Sequence, residues 1–158
     1  MNRSNICVAV LFAFALHSCA SADNPTRADR EIVLSAENGK PLGPNIKYMP
    51  EWKAVGWFTA KDSVEWNVEI EEAGKYDVYL EWSVSDEEAG KEFIMTAGGD
   101  QLIGAVAKSG SWETFRKEHV GSITLDEGPQ KIVFKSKTQF DDGALLDFRQ
   151  VTLMSQRP

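Results

Sequence analysis

Residues 63–86 (SVEWNVEIEEAGKYDVYLEWSVSD) hold two runs of strict alternation. Val64, Trp66, Val68 and Ile70 form one apolar face, and Tyr76, Val78, Leu80 and Trp82 form another. Side chains repeat every two residues only along an extended strand, so each run predicts a strand with one buried face. Between them lies Glu-Glu-Ala-Gly-Lys, a short link whose Gly74 is expected to supply a positive φ. Two alternating runs across a short Gly-bearing link predict an antiparallel hairpin. The chain is therefore expected to be a β-sheet protein. Its function should then come from loops or a sheet face rather than from a helix-borne site.

The first 22 residues are read as a separate object, a signal peptide. Arg3 is a positive n-region, and residues 6–16 (ICVAVLFAFAL) are an apolar run too short to span a bilayer. Two exits compete. Leu16-His17-Ser18-Cys19 is a lipobox-like tetrapeptide that would place a lipid on Cys19, although His17 stands where a small or β-branched residue is usual. Ala20-Ser21-Ala22 is an A-x-A site that would release the chain before Asp23. Residues 23–30 are expected to be a polar tether, and residues 31–158 one folded domain. A single core suffices for a domain of this length.

Cysteine usage narrows the chemistry. Cys7 and Cys19 both lie in the targeting segment, which leaves the mature chain no disulfide and no cysteine metal ligand. His119 would be the one mature histidine, so a zinc or haem centre is not expected. Losing Arg3 with the signal moves the formal charge from −7 to about −8. An acidic surface disfavours nucleic acid and anionic lipid as partners, leaving a lipid on Cys19 as the expected route to a membrane.

Beyond the central runs, short strands and turn signals alternate. Residues 31–36 read as a first strand, followed by a Gly/Pro-rich loop to Pro50. Residues 51–58 read as loop with some strand. Residues 92–97 and 101–107 read as a hairpin around Gly98-Gly99-Asp100. Residues 116–125, 130–137 and 144–154 complete the set. In the last of these, Leu146 and Phe148 are apolar on even positions while Val151 and Leu153 are apolar on odd ones, which predicts a β-bulge near Arg149. Eight or nine short strands separated by turns predict an all-β fold, a two-sheet antiparallel β-sandwich.

No serine stands in a nucleophile-elbow frame, and adjacent acids such as Asp141 and Asp142 suit a turn better than a cleft. A non-catalytic chain is expected. The aromatics carry more information. Trp66 and Trp82 are in phase with the apolar faces and should be core. Trp52, Trp57, Phe58 and Trp112 sit in or beside loops, outside clean alternation. They either plug an open end of the sandwich or present flat rings to a ligand such as a pyranose sugar.

An ordered set of segments adds a resemblance. It comprises Ala36-Glu37-Asn38, Asp62-Ser63-Val64-Glu65-Trp66-Asn67-Val68, Glu72-Ala73-Gly74-Lys75-Tyr76-Asp77-Val78, Gly110-Ser111-Trp112-Glu113-Thr114-Phe115 and Leu145-Leu146-Asp147-Phe148. Together they resemble family 6 and family 35 carbohydrate-binding modules, which have the galactose-binding-like sandwich or jelly roll. The resemblance implies that Trp112 stacks on sugar, with Trp57 or Phe58 as the opposite wall. It implies a structural calcium held in part by Glu37 and Asp147. Two positions depart from the pattern. Leu145 stands where the family usually has a sugar-binding Asn, and Ser35 stands where it has a second first-strand acid. The implied function is an exported module that binds carbohydrate. The alternative is an envelope domain that partners a protein and has lost the sugar site.

Overall fold

The computed structural model describes residues 31–156. The expected signal segment, its Cys19 and the tether lie outside these residues. Eleven strands form two antiparallel sheets. The first sheet contains β1 (Glu31–Ser35), β3 (Lys47–Met49), β4 (Ala54–Gly56), β6 (Gly74–Ser83), β9 (Arg116–Leu125) and β11 (Asp147–Ser155). Its order is β3-β4-β11-β6-β9, and β1 pairs with β11. The second sheet contains β2 (Lys40–Leu42), β5 (Ser63–Ile70), β7 (Glu92–Ala97), β8 (Asp100–Ala105) and β10 (Gly128–Ser136), in the order β2-β5-β10-β7-β8. The expected all-β sandwich is the observed one. The surplus over eight or nine strands comes from β2, β3 and β4, each three residues long and too short to show a period.

The expected hairpin between the two alternating runs does not form. β5 pairs with β2 and β10, whereas β6 pairs with β11 and β9 in the opposite sheet. The link at Glu71–Ala73 carries the chain across the sandwich. Tyr76 Oη braces it by donating to the Glu72 carbonyl at 2.7 Å. Alternation reports that one face of a strand is buried, not which strand lies beside it. Both runs do bury that face, but from opposite sides of one core. Gly74 opens β6 and is not among the glycines with positive φ. Among the strand pairs consecutive in the chain, only β3–β4 and β7–β8 are hydrogen-bonded hairpins; the other consecutive strands lie in opposite sheets.

The bulge expected near Arg149 is present. The β11–β6 register shifts between Phe148 and Gln150, which carries the apolar face from even to odd positions. The carbonyl of Arg149, freed from the ladder, accepts the N–H of Ala36 at 2.7 Å.

The core is a chain of rings. Phe134 on β10 stacks on Phe93 at 5.1 Å and on Phe148 at 5.5 Å, and meets Phe58 edge-on at 6.0 Å. Trp66 continues the chain against Phe148 at 5.5 Å. The polar tips of the buried indoles are satisfied at the rim. Trp66 Nε1 donates to the Ser35 carbonyl at 2.9 Å, and Trp82 Nε1 to the Ala107 carbonyl at 2.9 Å. Truncating Phe134 removes partners from three rings at once. Phe134→Ala is expected to cost about 3–5 kcal/mol, read as a drop in the urea midpoint with an unchanged m-value.

Candidate functional site

β11 organises one end of the sandwich. One of its edges pairs with β6, placing Asp147 opposite Ser83. At its other edge Phe148 pairs with Val55 of β4, and β4 folds back on β3. Gly56 and Trp57 therefore leave β4 beside Asp147. A methyl group on Gly56 would stand 2.8 Å from Asp147 Oδ1 and 2.6 Å from Met49 Cε, so only glycine admits both neighbours.

Trp57 and Phe58 take opposite paths. Phe58 is fully buried against Phe134, and its carbonyl accepts Leu145 N–H at 2.6 Å. The following loop is stapled by Asp62. One carboxylate oxygen accepts Thr59 N–H at 2.7 Å and Thr59 Oγ1 at 2.6 Å, and the other accepts Asn45 N–H at 3.3 Å. With Phe58 fixed inward, Trp57 adopts φ +53° and turns its ring out, leaving it 53 % exposed. A left-handed backbone costs an L-residue about 1–2 kcal/mol. Lys47 Nζ lies 3.8 Å from the centre of the Trp57 ring.

Trp112 arrives from the loop between β8 and β9. Its carbonyl accepts Ser83 Oγ at 2.7 Å, and Ser83 is the residue paired with Asp147. Ser109 Oγ contacts both the N–H and the carbonyl of Val84, at 2.8 and 2.9 Å, which fixes the base of the loop. The Trp112 ring is half-buried and packs on the core edge. Trp57, Trp112, Met49, Ala144 and Asp147 then line one open cleft of about 240 Å³. That is smaller than a typical drug-sized site and suits about one sugar ring.

Of the expected aromatic walls, Trp57 and Trp112 come together and Phe58 does not, because its ring fills the core. Leu145, at the position expected to be polar, is fully buried. Asp147, two residues on, supplies the polar group of the cleft. It was expected beside Glu37 in a calcium site, but the two acids do not share a cavity. Glu37 lies on the turn after β1, closed by Gly39 N–H to the Ser35 carbonyl at 3.0 Å and Asn38 N–H to Ser35 Oγ at 3.1 Å. It lines a separate concavity with Trp52, Glu81 and Arg149. Calcium takes six to eight oxygens, and the described residues contain no group of three or more His, Cys, Asp or Glu able to hold an ion. Glu37 and Asp147 thus line separate concavities, and no cluster of acids for an ion is seen among the described residues.

The other concavity, about 530 Å³, is polar. Its Trp52 is 38 % exposed and stacks on Phe115 at 6.4 Å. Arg149 locks this corner: its guanidinium lies 3.6 Å from the Phe115 ring centre, donates to the Trp52 carbonyl at 3.0 Å and pairs with Glu81 at 3.3 Å. His119, the expected surface histidine, lies on β9 with Nε2 3.2 Å from Asp77 Oδ1 and its ring against Tyr79. Among the described residues no serine reaches it.

Searches by sequence find no matching family and no matching curated protein. Solved structures do match. A family 35 carbohydrate-binding module from Clostridium thermocellum superposes with a TM-score of 0.65 at 16% identity, over 78% of this chain and 98% of that one. The C-terminal family 6 module of a Zobellia galactanivorans laminarinase gives 0.65 at 12% identity, over 80% and 100%. A Cellvibrio mixtus lichenase module, solved with cellotriose, gives 0.62 at 14% identity, over 80% and 98%. The chain has the fold of family 35 and family 6 carbohydrate-binding modules. A matched exo-β-1,3-galactanase from Phanerochaete chrysosporium is covered over only 29% of its length, so this chain corresponds to one part of that enzyme.

Asp147 gives the site a pH signature. Burial first, and then the charge of Glu113, push its carboxyl from an ordinary value of 3.8 up to about 6. The folded state thus holds the proton more tightly than the unfolded chain. The favourable contribution is fully present below pH 3.8 and is lost as pH rises through about 6. The full separation corresponds to about 3 kcal/mol, reduced to about 1–2 because the part-buried carboxyl keeps some water. In urea titrations across this range, Asp147→Asn is expected to become progressively more stable than wild type, with the gap levelling off above pH 6. A gap independent of pH would show that Asp147 is fully solvated.

Proposed function

We propose that this chain is a non-catalytic carbohydrate-binding module that holds a pyranose ring against Trp57 and Trp112. The observation that carries this reading is the convergence of two loop indoles and one carboxylate on a single open cleft, in a fold shared with carbohydrate-binding modules. Apolar sugar faces stack on such rings, and each stack is worth roughly 1–3 kcal/mol by analogy with bases on aromatic platforms. The strain at Trp57 supports the reading, since a residue held in a sparsely populated backbone region over-exposes a large ring that the core does not use. One observation favours the alternative of an envelope domain that partners a protein. Leu145 is buried where the resemblance places a sugar-binding Asn.

A glycan screen on the protein, followed by calorimetry of Trp57 and Trp112 variants, decides between them. Trp57→Gly is expected to abolish glycan binding while leaving the urea midpoint unchanged or slightly raised, because glycine accepts the positive φ. Trp112→Ala should also abolish binding and, being half-buried, cost about 1–2 kcal/mol of stability. Absence of any glycan ligand, with stability loss alone in Trp112→Ala, would assign the rings to plugging the sandwich.

The same proposal takes the module to act outside the cytoplasm, on a lipid at Cys19 or free after cleavage before Asp23; the apolar run at residues 6–16 and the two exit motifs support it. Cys19→Ala is expected to be exported but to move from the membrane to the soluble fraction on cell fractionation. A wild-type protein already soluble would leave the Asp23 exit.

A further inference from the structure

We propose that the Trp57–Trp112 cleft selects sugars carrying a free amine, with Asp147 as the residue that determines this specificity. The inference rests on the carbohydrate-binding reading of the same cleft and goes beyond it in naming the sugar class.

Two observations carry it. Asp147 is the charged side chain lining the cleft, and its surroundings are apolar: Met49, Ala144 and two indoles. Among the described residues no donor hydrogen-bonds its carboxylate and no cation pairs with it, whereas other part-buried acids such as Asp62 and Glu81 are partnered. A carboxylate kept unpaired beside the binding surface is completed by a donor from the ligand, best by a charged one. Secondly, Glu113 follows Trp112 in the same loop and its negative charge acts on Asp147. A bound ammonium relieves that repulsion, whereas a uronic acid would add to it. Lys47 Nζ, 3.8 Å from the centre of the Trp57 ring, occupies one face of that indole, so a ligand stacks on the other face and its amine must lie on the Asp147 side of the cleft. Lys47 arrives from β3, on the other strand of the hairpin, and does not line the cleft itself.

The arrangement of flat rings, one unpartnered carboxylate and a supporting like charge fits a pyranose whose ring stacks while its ammonium meets Asp147. A neutral sugar would satisfy the carboxylate through a hydroxyl at lower strength. An N-acetylated sugar replaces the charged donor with a single amide N–H and adds bulk to a cleft of about 240 Å³.

The test uses isothermal titration of the protein near neutral pH with four probes: glucosamine oligosaccharides, their fully N-acetylated counterparts, neutral gluco-oligosaccharides and uronic-acid oligosaccharides. The glucosamine series is expected to bind at least about tenfold tighter than the other three, with a preference that shrinks as salt rises. Asp147→Asn keeps the shape of the side chain and should remove the preference while retaining weak binding of the neutral series. Glu113→Gln should reduce the preference without abolishing it. Equal or tighter binding of neutral or acidic sugars, lost in Trp112→Ala, would overturn the amine specificity and leave the carbohydrate-binding reading standing. Binding of a lysine-containing peptide with none of any sugar would overturn both. A preference for glucosamine that survives Asp147→Asn would also overturn the role given to Asp147.

Discussion

The edge-on contact between Phe58 and Phe134 ties the loop before β5 to the centre of the sandwich. Much of the candidate site follows from it. Phe58 reaches the core only if the chain reverses sharply just before it. That reversal is the positive φ of Trp57, and its consequence is an indole turned to solvent. The same segment donates structure in both directions: the Phe58 carbonyl receives Leu145 N–H, and Asp62 closes the turn behind Thr59. Core packing on one side of a peptide thus produces a binding surface on the other.

How much of this could be read from residues alone depended on the kind of signal. Alternation in β5 and β6 identified both strands and the buried Val64, Trp66, Ile70, Tyr76, Val78, Leu80 and Trp82, while Val68 is only half-buried and the buried Ser83 falls outside the pattern. It could not identify their partners, because the two faces of a sandwich core look alike from within either strand. The phase change in β11 did place the bulge, since an extra residue is what moves an apolar face from even to odd positions. At the site, Trp57 and Trp112 stood out by falling outside any period. Phe58 did too, yet it belongs to the core. In a stretch without periodicity, adjacent aromatics carry no mark of which points inward, and only the long-range contact to Phe134 decides. Met49 and Ala144 were silent for a related reason. They lie on a three-residue strand and in a loop, and become cleft residues only through pairings distant in sequence.

Asp147 shows that a local motif places a residue without placing its neighbours. Its placement in the terminal strand was legible, but its partner was not. A calcium site needs several oxygens converging from different segments. Here Ser35 spends its hydroxyl and carbonyl on closing the turn that carries Glu37, and the turn leaves Glu37 in the concavity of Trp52 and Arg149. Asp147 instead faces the hairpin of β3 and β4, admitted there by the missing side chain of Gly56. The acid that the resemblance assigns to a metal lines an aromatic cleft.

Two unfavourable features therefore coincide within one site. Trp57 holds a strained backbone to expose a ring, and Asp147 holds a part-buried carboxylate without a partner among the described residues and within reach of Glu113. Each lowers stability. The positive φ of Trp57 serves the inward turn of Phe58, but the core requires neither an exposed indole at that position nor an unpaired carboxylate, and its buried Trp66, Trp82 and Tyr76 are hydrogen-bonded. A plug for the open end of a sandwich would be better made from a buried aliphatic side chain and no charge, as Leu145 and Leu146 demonstrate two and one residues before Asp147. Sequences are locally consistent where only folding is at stake, and violate that consistency where a ligand completes the structure. Strain, exposure and an unmet charge meet at the same cleft, and a bound ligand that stacks and donates would resolve the last two together.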